Sequence, residues 1–225
     1  MQRGLLIGFL VLLGLPAVAS AGFYGPPAAD TKPVWSPDAS VIVYYRQGEG
    51  LHVVNPDGSG DRLLSGVPNT DSFAFSSDWH WLALAEYEAP GLAAITVMRP
   101  DGSEARVAAH GACCVPPAFS PDGTRVAYVR AGGIWVAGID GGPATQVAPA
   151  GTDPNWSPDG RVIAYTVTTL TGPHVVLNTL DGTGLSNIGE LYFRGSPTRG
   201  PSWAQDGRLA FIVAAPTRIA VVDFT

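Results

Sequence analysis

Five aspartates recur in nearly the same surroundings: Asp38 in PVWSPDA, Asp78 in FAFSSDW, Asp122 in PAFSPDG, Asp159 in PNWSPDG and Asp206 in PSWAQDG. Gathered at one place, such carboxylates would form a ring able to hold a cation. Their neighbours favour a different use. Proline pre-sets φ for a turn, aspartate caps the turn through its side chain, and glycine supplies the positive φ that closes a tight hairpin. The preceding aromatic ends a strand and is placed to pack between sheets. The phrase thus reads as a structural part first and as a carboxylate ring second.

Other chemistry is sparse. His52 and His174 sit at matching strand positions, His80 lies in SDWHW at a turn, and His110 lies beside a cysteine pair. No G-x-S-x-G elbow, H-E-x-x-H pair or phosphate loop occurs. Cys113 and Cys114 are the only cysteines, and they are adjacent. In an oxidising compartment they would form a strained vicinal disulfide, remain thiols or bridge to another molecule. Their spacing does not suit a structural zinc. No cofactor and no metal site is expected. Asn155-Trp-Ser fits a glycosylation acceptor, but it falls inside the turn phrase.

The elements that carry these residues follow from long-period repetition. The phrase's aromatics, Trp35, Phe75, Phe119, Trp156 and Trp203, are spaced by 40, 44, 37 and 47 residues. A second phrase alternates with the first: VVNPDG at 53–58, VMRPDG at 97–102, AGIDGG at 137–142, NTLDG at 178–182 and VVDFT at 221–225. Between them lie β-branched and aromatic runs such as VIVYY (41–45), RVAYV (125–129) and VIAYTV (162–167). No segment after residue 21 sustains a helical period. Each repeat reads as strand, turn, strand, loop, strand, turn, strand, which predicts an all-β propeller of about five four-stranded blades. The fifth repeat stops after its third strand, so the ring is either closed by a strand from residues 22–32 or left incomplete and open. Pro26 and Pro27 make that segment a poor ladder strand.

Composition bounds the rest. The chain has 225 residues, 46% hydrophobic and only 14% charged, with 28 glycines and 20 prolines, which suits a turn-rich domain with an ample core. Arg3, the apolar run 4–15 and the Ala-Ser-Ala ending at 19–21 read as a signal peptide over 1–21. Without it, 12 basic and 19 acidic residues leave a net charge of −7. No cluster of Lys and Arg offers phosphates a surface, so nucleic acid is excluded as a partner. Cleavage leaves no stable membrane insertion, and the expected location is periplasmic or secreted.

FSPDGTRVAYV (119–129) and WSPDGRVIAYTV (156–167) resemble the WD40-like PD40 repeat of TolB-type β-propellers. The resemblance spans residues 33–223, almost the whole chain after the signal, and 33–225 is taken as the propeller. It implies the propeller fold and not an activity, because similar blades serve as partner-binding modules and as accessory domains of peptidases. It also implies an α/β domain ahead of the propeller, for which 22–32 leaves no room.

Consecutive blade strands run in opposite directions, so both Asp-Gly turns crowd one face. The other face holds the second-to-third loops and the blade connections, where binding usually resides. Lys32, Asp71, Asp153 and Arg199 precede their aromatics by three or four residues, which predicts a mixed ring at the channel mouth. The longest loop adds Tyr192 and Arg194. The leading expectation is a non-catalytic propeller that binds a protein or peptide of the cell envelope. The alternatives are a lyase or hydrolase with a metal-assisted site at the channel mouth, and self-association through open sheet edges.

Overall fold

The computed structural model describes residues 30–36, 38–65, 72–113, 115–170, 172–180, 191–192, 200–214 and 217–223. Among them every regular element is a strand. The first four form one antiparallel meander: β1 (Asp30–Trp35), β2 (Ile42–Arg46), β3 (Gly50–Val54) and β4 (Arg62–Ser65). The second is β5 (Phe73–Phe75), β6 (Leu82–Ala89), β7 (Leu92–Met98) and β8 (Arg106–Ala112). The third comprises β9 (Ala118–Phe119), β10 (Arg125–Arg130), β11 (Gly133–Gly138) and β12 (Thr145–Ala148). It joins the second through one pairing, Arg130 with Ala112. The fourth is β13 (Thr152–Trp156), β14 (Val162–Thr169), β15 (Gly172–Thr179) and β16 (Leu191–Tyr192). The fifth has three described strands, β17 (Ser202–Trp203), β18 (Leu209–Ala214) and β19 (Thr217–Val222).

The hairpins form where the phrases stand, and for the expected reason. In the third meander the Ser120 carbonyl accepts from Gly123 N at 2.9 Å, and Asp122 Oδ1 accepts from Thr124 N at 3.1 Å. Gly123 has φ +68°, a value that costs glycine nothing. The second phrase repeats the device, with Asp57 Oδ1 accepting from Ser59 N at 2.9 Å and Asp101 Oδ1 from Ser103 N at 2.8 Å.

Each strand then serves two interfaces, because its successive side chains point to opposite sides of the sheet. Leu82 and Leu84 pack back on Val43, Tyr45, Leu51 and Val53 of the first meander. Ala83 and Ala85 of the same strand join Val126 and Tyr128 of the third. Ala127 and Val129 meet Trp156, Ile163 and Tyr165 of the fourth, whose Ala164, Val175 and Leu177 meet Leu209 and Phe211 of the fifth. The core is therefore a series of layers between neighbouring sheets, as in a propeller. Among the described residues no core layer joins the first sheet to the fifth; Ile219 and Val221 on β19 are exposed.

Polar contacts lock the same layers. Arg62 Nη1, at the start of β4, donates to the Asp101 carbonyl at 3.0 Å, and Arg106 Nε, at the start of β8, donates to the Ile139 carbonyl at 2.9 Å. The Trp81 ring lies between two guanidinium groups, Arg99 at 4.0 Å and Arg106 at 4.1 Å.

Candidate binding channel

The first strands of four meanders surround a cavity of about 560 Å³. Its wall includes Ala74 and Phe75 from β5, Ala118 and Phe119 from β9, Asn155 and Trp156 from β13, and Trp203 from β17. Prolines 116, 117, 121, 154, 158 and 201 complete much of it. Ser77, Pro121 and Gln205 belong to the turn face, whereas Pro116, Asp153 and Gly200 belong to the loop face, so the space runs through the layer of first strands. These strands are short because a turn phrase ends each one. Two or three residues suffice to line an axis where sheets converge.

Asp153 is the charged residue among the described lining. It sits in a bulge of β13, where pairing to β14 shifts register between Thr152 and Asn155, and has φ +52°. Aspartate tolerates this region better than most residues. Oδ2 accepts from Thr152 Oγ1 at 2.8 Å. Gly200 closes over it; a Cβ at Gly200 would stand 2.4 Å from the Asp153 Cβ. Asp153 thus stands in the cavity wall. Lys32 lies on β1 at the bulge between Thr31 and Val34, and no described residue of β1 lines the cavity. Tyr192 ends β16 opposite His174, on the outer strand of its sheet. Asp71, Arg194 and Arg199 lie outside the described residues, as does Cys114. Cys113 is half-buried and its N–H donates to the Val129 carbonyl at 2.8 Å.

The repeated aspartates turn inward on their own hairpins. Ser76, Ser120 and Ser157 each donate Oγ–H to the aspartate two residues on, at 2.6, 2.5 and 2.6 Å. The same hydroxyls accept from the N–H five residues on, at Trp81, Arg125 and Val162. Serine bonding holds Asp122 and Asp159 below the usual carboxylate range. It takes Asp78 to about 2 with help from His80, and Asp38 to about 2 with help from Ser40. In the fifth copy Ala204 replaces the serine, and Asp206 binds Arg208 Nη2 at 2.7 Å instead.

Two expectations follow. Ser120 is fully buried, so Ser120→Ala strands the Arg125 N–H and removes a bond to an ionised group. A loss of about 1–3 kcal/mol is expected in urea unfolding. The aspartates' folded values lie below their unfolded ones. The stability they add is thus complete above about pH 4 and is lost as pH falls towards about 2. Stability measured across that window should decline, and Ser76→Ala should raise the Asp78 midpoint in a carboxyl NMR titration.

Sequence reasoning missed a polar network on the first meander. Arg46 bonds Asp30 at 3.1 Å and Asp61 at 2.8 Å; Tyr44 Oη donates to Asp61 at 2.9 Å, and His52 Nδ1 lies 3.0 Å from it. Burial pushes the Tyr44 phenol up, with the Asp61 bond adding to the shift. These residues come from β1, β2, β3 and the residue just before β4, and only an alternation of polar residues on one face of β2 hinted at them. His80 binds Asp78 within its own turn at 2.7 Å, and His110 on β8 binds Glu88 on β6 at 2.5 Å. His52 and His174 are both buried at matching positions, away from the channel lining. Among the described residues no three His, Cys, Asp or Glu side chains converge as metal ligands.

No family model matches the chain. Over 74 residues, 32% of its length, it is 36% identical to the Tol-Pal system protein TolB of Gluconobacter oxydans, of which this is 15%. Over 62 residues, 22% of its length, it is 39% identical to the uncharacterized peptidase YuxL of Bacillus subtilis, of which this is 9%. The chain thus spans less than a fifth of either curated relative. Among solved structures, a TolB-type protein of Agrobacterium tumefaciens superposes with a TM-score of 0.68 at 20% identity, covering 89% of this chain and 78% of that one. An oligogalacturonate lyase in complex with manganese superposes with a TM-score of 0.60 at 14% identity, covering 88% and 65%. At these identities the likeness shows the fold: a TolB-like β-propeller.

Proposed function

We propose that this chain is a non-catalytic binding module of the cell envelope, periplasmic or secreted, which takes an extended peptide segment of a protein partner into its central channel. One observation carries the reading. A through-going space of about 560 Å³ is walled by aromatic rings and prolines, with Asn155, Gln205 and Asp153 as polar points. Rigid rings beside exposed polar groups, here including Ser77, can fix both the shape and the orientation of a bound segment. The charge balance and the signal-like segment 1–21 support the location. The five repeats support a five-bladed reading, with the ring either closed by a strand from the segment ahead of β1 or left open at a seam. Tyr192, Arg194, Arg199, Asp71 and Lys32 belong to the same reading as contributors at the mouth. The likeness to a Tol-Pal system protein accords with it.

The test is panning of a displayed random-peptide library against the chain. Saturable binders are expected that lose affinity in Trp203→Ala and in an Arg194→Ala/Arg199→Ala double variant, with folding retained. Absence of any saturable binder, or binders indifferent to both variants, would sink the channel as the site. The second reading, an enzyme with a metal-assisted site at the channel mouth, draws on the manganese-bound lyase of the same fold. Tight stoichiometric uptake of Mn²⁺ or Ca²⁺, lost in Asp153→Asn, would favour it.

A further inference from the structure

The hairpin of the second meander breaks the repeat's own rule. Where Gly123, Gly160 and Gly207 occupy the closing position of their hairpins, the first has the small Ala39, at φ +55°, and the second the bulky Trp79, at φ +57°. A bulky side chain there is strained, and such strain persists where the surrounding structure enforces it, most often at functional sites. Here the Trp79 ring stacks on Phe75, with centroids 3.8 Å apart and planes within 6°. Phe75 lines the channel, so the indole extends the channel wall outward over the turn face.

Trp79 also borders a second space, a groove of about 310 Å³ between the first and second meanders. Its other walls are Ser36, Asp38, Ser40, Val41, Asp78 and Pro100. Both charged groups of this groove are carboxylates. Asp78 is engaged by Ser76 and His80. Asp38 Oδ1 accepts from Ser40 N and Oγ, and no described Lys, Arg or His forms an ion pair with it. The arginines of this face are engaged elsewhere: Arg62 on the Asp101 carbonyl, Arg99 on Glu104 and Trp81, Arg106 on Asp140 and Trp81. An aromatic face beside an uncompensated carboxylate is complementary to a cationic side chain.

We propose that this groove binds a basic peptide segment, with Trp79 stacked against a lysine or arginine side chain and Asp38 as its counter-ion. The proposal rests on the peptide-binding reading above and names the chemistry of the partner. It moves the contact surface from the loop face onto the turn face, where the channel opens beside Phe75.

The test uses the full chain and a capped, fluorescein-labelled hexalysine, followed by fluorescence anisotropy, with hexaglutamate as the counter-probe. Hexalysine is expected to bind one-to-one and hexaglutamate not at all. Trp79→Gly and Asp38→Asn are each expected to weaken hexalysine about tenfold. Glu88→Gln, an equal charge change on the far side of the second meander, should leave it unaltered. Trp79→Gly should keep or raise the thermal midpoint, because glycine adopts this φ freely; a packing role alone would lower it. Asp38→Asn retains the Oδ1 acceptor and carries the test should Trp79→Gly fail to fold. Equal affinity in both groove variants overturns the proposal, as does equal weakening in Glu88→Gln, which would mean diffuse attraction to an acidic protein. Hexalysine silent while library peptides still bind removes the basic groove and leaves the binding module standing. Silence of both removes both.

Discussion

Trp156→Ala is expected to lower the unfolding free energy by about 3–5 kcal/mol, the range for truncating a buried large aromatic. Trp156 is 5% exposed and belongs to the layer between the third and fourth sheets, against Ala127, Val129, Ile163 and Tyr165. Its Nε1–H donates to the Ala118 carbonyl at 3.0 Å, across 38 residues of sequence. The Arg125 guanidinium covers the ring at 4.8 Å. Truncation thus opens a cavity, orphans a carbonyl and exposes a neighbouring sheet in one step. Trp35 holds the same place in its repeat yet is 52% exposed. Trp35→Ala is expected to cost less than about 1 kcal/mol. Urea unfolding of the two variants checks the pair; equal losses would mean that the layered core is wrongly drawn.

Gly151→Ala should be nearly as damaging, at about 2–4 kcal/mol. Gly151 has φ +150°, and a Cβ there would stand 2.5 Å from Tyr165 Cδ2 and 3.2 Å from Ile134 Cγ1. Both neighbours are buried in the same layer, so neither can yield without moving others. Gly58→Ala separates the two causes. Gly58 has φ +82° with nothing within 4 Å of an added Cβ, so only the backbone term of about 1 kcal/mol applies. A Gly151→Ala loss no greater than that of Gly58→Ala would show that the space around Gly151 accommodates a methyl group.

The hairpins were legible because their determinants are local. Serine, aspartate and glycine act through bonds that span two to five residues, as at Ser120, Asp122 and Gly123. A phrase repeated at a regular distance therefore announces strands, turns and their order without reference to the rest of the chain. The signal-like start and the acidic balance are likewise properties of composition. The expectation for Asp153 rested on the same local count, its distance from Trp156.

Which aromatic is buried was not legible. Trp35 and Trp156 carry the same phrase, and their fates differ because neighbouring sheets cover one and leave the other open. Strand alternation gives the usual clue to an inner face, but here both faces of a middle sheet are apolar: Leu82 and Leu84 serve one layer, Ala83 and Ala85 the next. The groove beside Trp79 and the network at Arg46, Tyr44, His52 and Asp61 join residues from separate strands or separate sheets. The sequence by itself determined the repeating hairpins, because turn chemistry acts within a few bonds. Only the tertiary structure decided what lines the channel and what faces solvent, because those depend on how whole sheets converge on an axis.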